Sequence, residues 1–134
     1  MKRFLRCSVV SIFLAASFLG VSSPAQAATG SWSSVNSGKP GVACWGTWNS
    51  QPGGSVIVSG TIKDTAADNR FALCLFRYTT TTEIGWTNIS TQGHGAGYSR
   101  TFSFTVPYAR SINVTECLGT TITRSCGVAV RVWP

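Results

Sequence analysis

Residues 100–106, RTFSFTV, decide the fold class. Phe102, Phe104 and Val106 share one parity, and Thr101, Ser103 and Thr105 share the other. A strict period of two marks a strand with one face in a core and the other in water. A helix would scatter those rings around its axis. Pro107 ends the run, and the glycine-rich loop from Gln92 to Gly97 precedes it.

Working outward, the same grammar recurs. Arg110 to Leu118 reads as a strand with Ile112 and Val114 inward, and Cys126 to Trp133 as another with Val128, Val130 and Val132 inward. Upstream, Arg70 to Thr79 is apolar on both faces, which suits a central strand. Ser55 to Lys63 puts Val56, Val58 and Ile62 on one face. Val42 to Trp48 and the weaker run Glu83 to Ser90 complete the set. Turn residues separate the runs at Asn49 to Gly54 and Asp64 to Asn69. About seven short strands at this spacing predict an all-β chain, a single small antiparallel β-sandwich.

The N-terminus is read separately. Lys2, Arg3 and Arg6 precede the apolar run Val9 to Val21, and Ala25-Gln26-Ala27 is an A-x-A cleavage site. Residues 1–27 therefore read as a cleaved signal peptide and predict a secreted, extracellular protein. The run is shorter than the ~20 apolar residues of a spanning helix, so no membrane span is expected. Residues 28–41 are small, polar and turn-rich and read as a flexible N-terminal arm. Residues 42–134 are the sandwich domain.

Removing the signal also removes Cys7, leaving Cys44, Cys74, Cys117 and Cys126. An even count in an exported chain predicts two disulfides, which a core this small would need. Cys117 and Cys126 flank a short segment between the last two strands and are expected to bridge locally. Cys44 and Cys74 then tie the first strand to the third. Parity puts Cys126 inward with Val128. It puts Cys117 off the face of Ile112 and Val114, which calls for a bulge or a strand end.

Catalytic raw material is scarce: four carboxylates and one histidine in 134 residues. Paired-carboxylate hydrolysis needs two carboxyl groups facing one bond. Asp64 and Asp68 instead share a turn, and Glu83 and Glu116 lie on different strands. His94 stands between glycines, a poor mount for a rigid general base. No zinc-ligand spacing occurs, and Asp64, Asp68 and Asn69 match no calcium loop. The expectation is a non-enzymatic chain with no metal and no cofactor.

The aromatic residues and arginines say more. All five tryptophans fall after the signal: Trp32, Trp45, Trp48, Trp86 and Trp133. A small sandwich can bury only part of that area, and exposed rings suit a protein interface or sugar stacking. Eight basic residues, six of them arginine, then face four acidic ones. Arginine favours bidentate and stacked contacts. The basic residues are spread along the chain without a basic cluster, so no nucleic acid is expected. Trp32, Trp45, Trp48 and Trp86 are the expected binding residues, with Arg77 and Arg100 as charged support.

The stretches Ser55 to Asp68 (SVIVSGTIKDTAAD) and Arg100 to Gly119 (RTFSFTVPYARSINVTECLG), with Cys126-Gly127 and the valine-rich end, resemble small secreted sandwich proteins of filamentous actinobacteria. In size, export and two-bridge layout the chain also resembles the small adaptor subunit of umbrella toxin particles. That resemblance implies a link between a lectin subunit and a toxin-bearing subunit, with residues 28–41 inserted into one partner. It implies no catalytic residue.

Three functions follow as expectations. The first is a protein-interaction or adaptor subunit of an extracellular complex, its partner another secreted protein. The second is a carbohydrate- or cell-wall-binding module, which requires coplanar rings such as Trp45 or Trp48 with Trp86. The third is a protease or glycosidase inhibitor that presents Leu118 to Ser125, with Arg124 as the residue to fill a pocket.

Overall fold

A computed structural model describes residues 27–134; the signal-peptide reading falls on residues 1–26, outside them, and on Ala27. Among the described residues two antiparallel sheets pack face to face. The first contains β1 (Thr29–Ser33), β2 (Val42–Ser50), β3 (Val56–Asp64) and β6 (Ser99–Val106), in that order. The second contains β5 (Ile84–Ser90), β4 (Phe71–Thr80) and β7 (Ala109–Gly119), with β8 (Arg124–Cys126) and β9 (Val130–Trp133) both pairing the far edge of β7. The chain is an all-β sandwich, as the alternation predicts.

β6 shows why. Its rings face Phe76 of β4, with centroids 5.5 Å away for Phe102 and 5.0 Å for Phe104. Val58, Ile62, Val106, Ile112 and Val114 close around them and are buried. Cys44 of β2 bridges Cys74 of β4 and so joins the two sheets through the core. Two glycines let large rings lie flat on the neighbouring strand. Trp48 covers its cross-strand partner Gly30, and Tyr78 covers Gly85, where a Cβ would collide with the ring.

Residues 28–41 are not a loose arm. Thr29 to Ser33 form the edge strand β1, in full register with β2. Trp32 is 7% exposed, packs edge-on against Phe76 at 5.4 Å and donates its indole N–H to the Thr47 carbonyl. The segment looked polar because its one large apolar side chain does the anchoring and its serines face water or cap buried groups. A single 3-10 turn, Val35–Ser37, follows. It docks against the second sheet, where Ser37 Oγ accepts the Glu116 N–H and donates to the Val128 carbonyl.

That docking explains the other departures. The predicted final strand breaks after Cys126. Gly127 lies so close to the Ser37 backbone that a Cβ would overlap it, and Val128 donates its N–H to the Ser37 carbonyl. Val128 is therefore exposed rather than inward, and Cys126 is exposed as well. Cys117 bridges Cys126 directly across paired strands. Both disulfides are those expected. No bulge is needed at Cys117, because the bridge lies on the outer side of the sheet.

Candidate functional site

The outer face of the second sheet carries the most contact-ready surface. In β4, Ala72, Cys74 and Phe76 are buried, so alternation turns Leu75 and Arg77 outward. In β5 the same rule turns Ile84 and Trp86 outward, each 55% exposed. Trp86 and Arg77 are cross-strand partners, and the guanidinium carbon stands 5.6 Å from the indole centroid. Arg77 is next in register to Asn113 of β7, and Asn113 to Arg131 of β9. One row across four strands thus reads Trp86, Arg77, Asn113, Arg131.

The carboxylates leave this positive row uncompensated. Asp64 and Glu116 are buried. Asp68 pairs with Arg70 at 2.8 Å and accepts that residue's backbone N–H. Among the described residues Glu83, in the turn before β5, is the one exposed carboxylate outside an ion pair. The surface is therefore more one-signed than the net charge implies.

The first sheet presents a different outer face. Ser31, Thr47, Ser59 and Ser103 form one row, one hydroxyl from each strand, and Thr29, Ser33, Thr61, Thr101 and Thr105 flank it. Ser59 and Ser103 are hydrogen-bonded at 2.8 Å. Trp45, 43% exposed, is its one large ring.

Of the residues expected to bind, the fold unites only Trp86 and Arg77. Trp45 lies on the opposite sheet. Trp32 is core, and Trp48 is half-buried over Gly30 and packs on the core. Arg100 sits at the sandwich edge and donates to the Ser90 carbonyl of β5 at 3.2 Å, linking the two sheets. A coplanar platform of Trp45 or Trp48 with Trp86 is therefore not formed. Sequence reading passed over Ile84 and Arg131. The shared parity of Ile84 and Trp86 was the available signal for the first; no local signal pairs Arg131 with Arg77.

The segment Leu118 to Ser125 is a tight hairpin. Arg124 is held in β8 opposite Gly119, so it does not stand at the tip. Ile122 does, 91% exposed, over a turn in which Thr120 Oγ1 accepts the N–H groups of Ile122 and Thr123.

Glu116 is the most unusual titratable group. Register places it inward, between Val114 and Leu118 on β7. Ser34 Oγ lies 2.5 Å from Oε1, and the Lys39 N–H reaches Oε2 at 3.4 Å. Burial pushes its pKa up, and the hydrogen bonds from the Ser34 side chain and the Lys39 and Cys44 backbone offset this only in part. When protonated, Glu116 can donate to Ser34, which in turn donates to the Cys44 carbonyl at 2.9 Å. His94, by contrast, stacks on Tyr98 at 3.7 Å on an exposed loop, away from this carboxyl group.

Comparison with protein-family models, curated proteins and solved structures finds no match to this chain.

Proposed function

We propose that this chain is an exported, non-enzymatic protein-binding module, an adaptor-type subunit of an extracellular assembly. The observation that carries the reading is the Trp86–Arg77 pair on a face that also holds Ile84 and Arg131. Tryptophan and arginine are the side chains that most often dominate the energy of protein interfaces. The positive row favours a partner whose contact surface is acidic, and such complementarity raises association rate and selectivity. Two disulfides are compatible with an oxidising compartment. Among the described residues no helix is long and apolar enough to cross a membrane.

The resemblance to umbrella-particle adaptors fits this reading in general form. The insertion of residues 28–41 into a partner does not carry over, because Thr29–Ser33 already pair with β2 and Trp32 is spent on the core.

The test is recovery of the C-terminally tagged protein from the culture medium of its own host, beside Trp86→Ala and Arg77→Ala variants. A secreted protein recovered in stoichiometric amount with wild type, and lost from both variants, is the expected result. Equal recovery with Trp86→Ala would remove the assigned face. A protein that elutes alone, at monomer size, would remove the assembly reading.

A further inference from the structure

The connection between β1 and β2 lines a cleft of about 580 Å³ through Val35 and Gly38 to Gly41. Trp45 and Val35, both exposed, form its apolar walls, and Ser33, Lys39 and Thr65 add polar groups. Glu116, 2% exposed, contributes to its floor. The volume is within the range of small-ligand clefts, which pair apolar walls with a few fixed polar groups.

The floor retains unused hydrogen-bonding capacity. Glu116 Oε1 is engaged by Ser34, but the Lys39 N–H approaches Oε2 from 3.4 Å, too far for a strong charge-assisted bond. A carboxyl oxygen has room for a second, shorter donor. The backbone of Cys44 is a further partner of this carboxyl group, and the Lys39 ammonium group turns instead to Ser125 Oγ at 2.6 Å, which leaves part of the acceptor capacity of the two oxygens for a ligand.

The charges select the ligand class. An anion would meet the carboxyl oxygens of Glu116. A cation would approach a protein on which basic residues outnumber exposed carboxylates. A neutral ligand with hydroxyl donors and a flat C–H face meets neither obstacle. It can place that face on Trp45 and a hydroxyl on Glu116 Oε2, with Ser33 and Thr65 beside it.

We infer that this cleft binds one residue of a neutral glycan, stacked on Trp45 and hydrogen-bonded to Glu116. The site is separate from the Trp86 face and lies at the seam between the sheets, lined by Trp45 of β2 and Glu116 of β7, so it goes beyond the protein-binding reading and stands or falls independently of it. A chain with both sites would hold a protein on one side and a sugar on the other.

The oxidised protein would be titrated with xylotetraose, cellotetraose, maltotetraose and chitotetraose while amide and indole N–H signals are followed by NMR. At least one sugar should shift the Trp45 indole and the Thr65 amide. Trp45→Ala should weaken its Kd by about tenfold or more, and Glu116→Gln by about threefold or more, because the amide is a weaker acceptor. Should Glu116→Gln lose its dispersed spectrum, Thr65→Ala at the rim replaces it, with the same direction expected. The inference is overturned if no sugar moves Trp45 at about 10 mM, a concentration that would reveal even millimolar binding. It is equally overturned if shifts fall at Trp86 instead, or if hexylamine moves Trp45 and the sugars do not.

Discussion

The two outer faces of the sandwich are built from the same strand alternation and differ in what the alternation displays. The β1–β2–β3–β6 face shows rows of serine and threonine, with Trp45 at one side. The β5–β4–β7–β9 face shows Ile84, Trp86, Arg77 and Arg131. Hydroxyls are well solvated and gain little from a new partner. A half-exposed tryptophan stacked under arginine gains from losing the water on its uncovered surface. The same backbone geometry thus yields a face that water satisfies and a face that a partner would satisfy.

The comparison can be broken most severely from beneath. Trp32→Ala removes the side chain that locks β1 under the hydroxyl face, and should cost about 3–5 kcal/mol of stability as for other buried tryptophans. Chemical denaturation would show it; a loss below about 1 kcal/mol would return residues 28–41 to the status of a loose arm. On the other face, Trp86→Ala should leave stability within about 0.5 kcal/mol and weaken partner binding by about 2 kcal/mol or more. Calorimetry of the recovered complex would measure the second figure. Arg77→Ala should fall between, with its loss reduced in high salt, where surface charges are screened.

Glu116 sharpens the contrast at the seam between the sheets. Its pKa is raised by burial, so the folded state holds a proton that the unfolded state releases. Its contribution to stability is therefore fullest below the ordinary carboxylate range and is lost as pH rises from that range through the raised value. Glu116→Gln should flatten that part of the stability–pH curve, read from denaturation midpoints at a series of pH values. The smallest effect belongs to the hydroxyl face. Ser59→Ala with Ser103→Ala removes one exposed hydrogen bond and should change stability by about 0.5 kcal/mol or less.

Strand alternation was legible at Phe102, Phe104 and Val106, at Val56, Val58 and Ile62, and at Ile112 and Val114, because each run alternates or keeps one face apolar. Both cysteine pairs were legible from parity of count and proximity along the chain. β1 was not, since Thr-Gly-Ser-Trp-Ser offers one large apolar residue and period two needs several. Nor was the break at Gly127, whose cause is the backbone of Ser37 some 90 positions away in sequence, as the Ser37–Val128 bond shows. At the candidate site, Trp86 and Arg77 could be named as binding residues. Their pairing depends on register between two strands, which residue identity does not encode.

The sequence by itself determined an all-β chain with a two-disulfide frame. These follow from composition and from local periodicity, which a chain carries residue by residue. Only the tertiary structure decided which aromatic rings are core and which are surface. It also brought Ser34 and Lys39 to Glu116, 82 and 77 residues away. Such contacts are set by sheet order and register, and these emerge only when all the strands compete for the same core.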